Sequence, residues 1–356
     1  MSGIDLQRPA GRHGPETAWL VSGEQPQGKS NLDLEGRSLR GSRPTSYRGP
    51  CKADSVYRDT WSAMGTRFSL EIVAPDRSMA ETAFAAAREE VERIEQLLSD
   101  YRPSSELSRL NRDRSLTLDP EMFALLVRVG ELVEATRGSF DPAVGALVDA
   151  WGFSSGRFQV PADSTLERLV EGSGWRHLRL ESTDRRATLT HRGVRLDPGA
   201  FGKGYAAERV ADLLLRLGVT CALVDAGQST WRALGPPPRA DGWAISLPSP
   251  DGVHRTVSLV HEALATTGSS ARQFEQAGRI YGHVLDPRTG RTAPAGRLVF
   301  VRAPSALDAD ALSTALYVTG PGGAASILGP FPGASALLFD DRVPRPTPVG
   351  PWRDSP

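Results

Sequence analysis

The chain has 356 residues, 39% of them hydrophobic, which is enough for one large domain or two modest ones around a buried core. Lysine plus arginine equals aspartate plus glutamate at 42 each, so no net field draws the chain onto nucleic acid or an anionic membrane. Only Cys51 and Cys221 occur, without a C-x-x-C or Cys/His cluster, which excludes a thiolate zinc site and a dense disulfide framework; Cys221 reads as a buried strand cysteine. No run reaches the roughly 18 apolar residues of a membrane span. No apolar stretch near the first residue suits a secretory signal or a lipid-anchored Cys51, so a cytoplasmic location is expected.

Residues 1–54 are rich in Gly, Pro, Ser, Arg and Gln, a composition that buries too little surface to offset ordering entropy, and are expected to form a disordered arm. Residues 341–356 carry five prolines and read as an extended tail. Between them lies a folded body, residues 55–340. An early strand is predicted over 61–73, where Phe68, Leu70 and Ile72 alternate with polar residues. Over 79–98 the stripe Ala83, Ala87, Val91, Ile94 and Leu98 predicts an amphipathic helix, and Asp119-Pro120 starts a second one that runs to near Gly138. Residues 187–196 read as strand, 205–217 as a helix ending at Gly218, and 221–225 as a buried strand. Further strands are predicted over 243–247 and 298–302, and a helix over 308–318 capped by Asp308. Strands and helices mix without a regular βαβ rhythm, which favours an α+β fold.

Three stretches can carry chemistry. In Arg195-Leu-Asp-Pro-Gly-Ala-Phe-Gly-Lys-Gly-Tyr205 a strand runs into a glycine-rich turn that opens a helix, an arrangement that offers backbone N–H groups to phosphate with Lys203 adding charge. The same pattern also suits a plain strand-to-helix turn, and it matches neither a Walker loop nor a G-x-G-x-x-G fingerprint. His283 precedes the turn Asp286-Pro-Arg-Thr-Gly290, and a neutral imidazole there can take a hydroxyl proton or serve packing alone. Asp310 and Thr314 stand four apart on one helix face, a carboxylate and hydroxyl pair that suits Mg²⁺; a merely helix-favouring Asp310 is the alternative.

Taken in order, Met64-Gly-Thr66, Tyr101 to Asn111, Phe140-Asp-Pro142 with Trp151-Gly-Phe153, Leu196 to Tyr205, His283 to Gly290 and Asp310 to Thr314 resemble the FAD:protein FMN transferase family, also called ApbE-type flavin transferases. The resemblance spans about residues 57–338 and implies an α+β flavin transferase fold with FAD as substrate and Mg²⁺ beside its pyrophosphate. It implies Asp310, Thr314 and the Gly202 carbonyl as metal ligands, and Met64, Tyr101, Ser139, Phe140, Asp141, Gly199, Lys203, Tyr205 and His283 as FAD contacts. The implied reaction transfers FMN to a Ser or Thr hydroxyl of an acceptor flavoprotein and releases AMP, with His283, Asp310 and Lys203 as the catalytic set. The sequence departs from the family at Asp225-Ala-Gly-Gln-Ser229, where members carry Asn-Leu-Gly-Gly-Asp, at Thr266-Thr-Gly-Ser-Ser270, where they carry Thr-Ser-Gly and a tyrosine, and at Asp141-Pro-Ala143, where they carry Asp-Pro-Thr. These changes keep two alternatives in view, a Mg²⁺-dependent FAD pyrophosphatase giving FMN and AMP, and a non-catalytic FAD-binding protein.

Overall fold

A computed structural model describes residues 55–268 and 272–354; the arm at 1–54, including Cys51, lies outside the described residues. The chain opens with β1 (Ser55–Ala63), β2 (Thr66–Ala74), α1 (Arg77–Leu98), α2 (Glu106–Asp113), β3 (Ser115–Thr117) and α3 (Pro120–Ala135). Then come α4 (Gly145–Trp151), α5 (Asp163–Gly172), β4 (Leu178–Glu181), β5 (Arg186–Leu189), α6 (Gly202–Arg216), β6 (Ala222–Ala226) and β7 (Thr230–Leu234). The hairpins β8 (Trp243–Leu247) with β9 (Arg255–Leu259) and β11 (Gln273–Gln276) with β12 (Arg279–Gly282) flank β10 (Ala263–Gly268). The chain closes with β13 (Arg297–Ala303), α7 (Ala306–Thr319), α8 (Ala324–Leu328), β14 (Ser335–Asp340) and β15 (Thr347–Val349).

An eight-stranded antiparallel sheet, ordered β1-β2-β6-β7-β10-β13-β14-β15, carries the fold. Because side chains alternate across a strand, each strand feeds two cores. On one face Phe68, Leu70, Val224, Ala265 and Val301 pack under α1, α6 and α7, and on the other Trp231, Leu264 and Phe300 pack against the β8–β9 hairpin. This mixture of helices and antiparallel sheet is the expected α+β class.

Several boundaries differ from the sequence reading. The single strand expected at 61–73 is a hairpin whose two-residue turn, Met64-Gly65, has φ of 50° and 67°, the left-handed pair that matches the twist of antiparallel strands. β5 ends at Leu189, and the chain from there to Pro198 runs as loop rather than strand. Helix α7 is capped by Ser305, not Asp308; the Asp308 carboxylate instead pairs with Arg128 on α3 at 2.7 Å. The proline-rich tail adds β15 to the sheet edge, with Trp352 packed on the second core. Cys221, expected within the strand, lies one residue before β6; it is buried and disulfide-bonded.

Candidate active site

The site is assembled where the N-terminus of α6 meets α7. Asp197 organises the approach by accepting from the Gly199 N–H at 3.0 Å, and the Pro198 carbonyl accepts from the Phe201 and Gly202 amides. The glycine turn is thus the first turn of the helix itself, so α6 begins three residues earlier than the periodicity suggested. No side chain caps it. One orphan donor, the Gly204 N–H, goes across to Asp310 Oδ2 on α7 at 2.9 Å. Gly204 permits this approach because it lacks a side chain: a Cβ there would stand 2.4 Å from the Ala306 carbonyl oxygen and 2.7 Å from Asp310 Cβ.

Two charges of opposite sign meet at this junction without neutralising each other. Lys203 is 3% exposed, and its ammonium has no hydrogen-bond partner. Asp310 is 4% exposed and, among the described residues, accepts only from neutral donors, Gly204 N–H and Thr230 Oγ1 at 3.2 Å. Both line one cavity of about 590 Å³, its open mouth included. Burying an unpartnered ammonium or carboxylate is costly. Lys203 can meet anionic oxygens of a ligand, and the Asp310 carboxylate keeps its charge uncompensated by any basic side chain among the described residues.

Further walls come from residues 139–142 with Val144, from residues 283–285 with Pro287, and from Thr266 and Thr314. Thr314 stands one helical turn beyond Asp310 on α7, and the Thr266 hydroxyl is a second buried polar group without a partner. Ser139 gives its hydroxyl to the Thr136 carbonyl at 2.8 Å. The Asp141 carboxylate braces the wall by accepting from the Ala143 amide at 2.7 Å and the Trp175 amide at 3.0 Å, and burial raises its pKa.

His283 follows β12 and is 3% exposed. Its Nδ1 lies 2.9 Å from the Arg272 carbonyl oxygen. A carbonyl only accepts, so Nδ1 carries the proton and Nε2 keeps its lone pair. Burial pushes the imidazole down to about 4, the Arg272 carbonyl opposing that shift and the nearby Arg272 and Lys203 charges adding to it. The ring is therefore neutral at physiological pH, with a free acceptor nitrogen on a residue that lines the cavity.

The structure brings Ser139, Phe140, Asp141, Gly199, Lys203, His283, Asp310 and Thr314 to the cavity wall. It does not bring Met64, Tyr101, Gly202 or Tyr205 there. Tyr205 is two residues from Lys203, about 200° around the helix, and its hydroxyl donates to Glu121 at 2.6 Å. Met64 is buried beneath the start of α6, with its methyl 3.5 Å from where a Cβ on Gly202 would stand, and Tyr101 is 58% exposed. The sequence reading named Thr266 only as part of a family departure and missed Thr230, whose role is invisible without the α7 contact. None of residues 225–229 lines the cavity, so that departure leaves its walls intact.

Residues 64–338 match the model of the ApbE family. The chain belongs to the ApbE family. Among curated relatives, the FAD:protein FMN transferase of Treponema pallidum (strain Nichols) is 32% identical over 283 residues, covering 72% of this chain and 78% of the relative. That of Escherichia coli (strain K12) is 30% identical over 270 residues, covering 72% and 77%. The solved structure of the Pseudomonas stutzeri flavinyl transferase ApbE, apo form, superimposes with a TM-score of 0.74 at 27% identity, covering 83% of this chain and 94% of that one. The ApbE protein of Thermotoga maritima gives 0.72 at 28% identity, covering 80% and 94%. The fold is that of the ApbE flavin transferases, and the chain is an enzyme of the FAD:protein FMN transferase kind.

Proposed function

We propose that this ApbE-family enzyme transfers FMN from FAD to a Ser or Thr hydroxyl of an acceptor flavoprotein, with Mg²⁺ at the pyrophosphate and AMP as the leaving product. The observation that carries the reading is the pair of buried, mutually unbonded charges, Lys203 and Asp310, facing one cavity at a helix N-terminus. Lys203 and the α6 N-terminus supply positive potential for pyrophosphate oxygens.

The donor set fits Mg²⁺. This ion keeps several waters and takes one or two carboxylates plus substrate phosphates, so Asp310 with Thr314 suffices, and no larger cluster of acidic or histidine ligands occurs among the described residues. When bound, Mg²⁺ supplies Lewis-acid neutralisation of the charge on the pyrophosphate. The Gly202 carbonyl, implied as a third ligand by the resemblance, does not line the cavity.

In the reaction, the acceptor oxygen forms a bond to the FMN-side phosphorus while the bond from that phosphorus to the bridging oxygen breaks, and the bridging oxygen leaves with AMP. His283 Nε2 takes the hydroxyl proton, its Nδ1 proton being held by the Arg272 carbonyl. Lys203 stabilises charge building on the phosphate oxygens. Chromatography of AMP and FMN with and without acceptor tests the reading: AMP appearing only with acceptor and without free FMN supports transfer, and equal free FMN and AMP regardless of acceptor supports a pyrophosphatase.

The Cys221 disulfide favours work in an oxidising compartment over the cytoplasmic location that the sequence suggested. Alkylation of the protein from its native host checks this: label entering only after reduction supports the oxidised state, and full labelling beforehand contradicts it.

A further inference from the structure

Thr230 presents a buried hydroxyl where a buried strand has no use for one. It begins β7, is 0% exposed, and pairs across the sheet with Ala226 on one side and Ala265 on the other. Valine has the same shape and a stronger preference for such a position, and an unbonded hydroxyl there would be destabilising. The hydroxyl has one side-chain partner, Asp310 Oδ1 at 3.2 Å.

The opposite oxygen of the same carboxylate accepts from the Gly204 N–H at 2.9 Å. The terminal torsion of an aspartate is otherwise broad. One donor on each oxygen fixes the carboxylate plane and leaves lone pairs on both oxygens for a ligand. Both donors are neutral. An arginine or lysine in either place would cancel the charge that a cation needs, whereas a hydroxyl and an amide leave it whole.

We propose that Thr230 is a positioning residue whose hydroxyl orients the Asp310 carboxylate toward the divalent cation beside the FAD pyrophosphate. This rests on the cation reading given above. Thr230 does not line the cavity, so it acts through Asp310 alone.

The test is an equilibrium titration of acceptor-free, FAD-saturated enzyme with Mn²⁺, followed by electron paramagnetic resonance, on the parent, Thr230→Val, Thr230→Ser and each change in an Asp310→Asn background. The expected result is Mn²⁺ binding weakened roughly 10- to 100-fold in Thr230→Val, the usual cost of losing a partner that orients a metal ligand, and largely restored in Thr230→Ser. Flavin affinity in EDTA should stay near the parent value in both, and Thr230→Val should cost nothing further when Asp310 is already Asn. Parent-like Mn²⁺ binding by Thr230→Val overturns the role, as does Thr230→Ser binding no better than Thr230→Val. An undiminished loss in the Asp310→Asn background would also overturn it, by marking a packing effect. Failure of the parent itself to bind Mn²⁺ with FAD would instead sink the cation reading and this role with it.

Discussion

His283 donates its Nδ1 proton to the Arg272 carbonyl at 2.9 Å, and this bond fixes which nitrogen of the ring is left to accept. Because burial holds the imidazole down at about 4, the free-enzyme acid limb of kcat/KM assigned to this base should fall near pH 4 rather than near the ordinary histidine value. His283→Asn, whose amide can still donate to the Arg272 carbonyl from the position of Nδ1 but cannot take a proton, should lower transfer by roughly 10²- to 10⁴-fold. Steady-state rates across pH check both, and a parent-like rate for the variant would remove the base assignment.

The same shift makes a stability prediction. The folded pKa lies below the unfolded value of 6.5, so the unfolded state binds the proton first. The stabilisation is full above about pH 6.5 and is lost as pH falls toward 4, a change of roughly 3 kcal/mol for a shift of this size. His283→Asn should flatten that part of the pH dependence of Tm.

Lys203 should trade stability for function. Its buried ammonium has no partner in the ligand-free protein. Lys203→Met keeps the stem packing, removes the charge, and should stabilise the ligand-free protein by about 1–2 kcal/mol while weakening FAD binding at least tenfold. Calorimetry and flavin fluorescence read the two effects separately.

Gly202 and Gly204, two positions apart, should respond to very different degrees. Gly204→Ala places a Cβ 2.4 Å from a backbone oxygen of α7 and should cost about 1–3 kcal/mol and most of the activity. Gly202→Ala meets Pro198 Cβ at 3.3 Å, tight by only a few tenths of an ångström, and the Met64 methyl at 3.5 Å, an ordinary contact, and should stay within about 1 kcal/mol of the parent. Denaturant unfolding compares them.

Far from the cavity, Arg297 and Asp340 form an ion pair at 2.8 Å with side chains 7% and 1% exposed, and Arg297 also reaches the Val318 carbonyl at the end of α7. Asp340→Ala leaves that arginine buried with its carboxylate partner gone and should cost about 3–5 kcal/mol with little change in FAD affinity once folded.

What the sequence disclosed follows from how local each signal is. Lys203 is marked by the glycines around it, Asp310 and Thr314 by their helical spacing, and His283 by the turn behind it. All four line the cavity. Thr230 gives no such mark, because its role lies in a contact made 80 residues along the chain. Tyr205, named as a flavin contact only by the resemblance, lies on another side of α6 from Lys203 and donates to Glu121, an orientation that no local signal in the sequence gives. The Met64-Gly65 hairpin was read as one strand with a glycine break, since alternation persists on both sides of a two-residue turn.

The central claim, that the Lys203–Asp310 cavity serves metal-assisted transfer of FMN to protein, is tested most directly by intact-mass analysis of a threonine-bearing acceptor domain after incubation with the enzyme and FAD, with Mg²⁺ or with EDTA. The account predicts an acceptor mass increased by one FMN with Mg²⁺, no increase with EDTA, and no increase with Asp310→Ala even though that variant still binds FAD. Equal labelling with EDTA, or full labelling by Asp310→Ala, would contradict it.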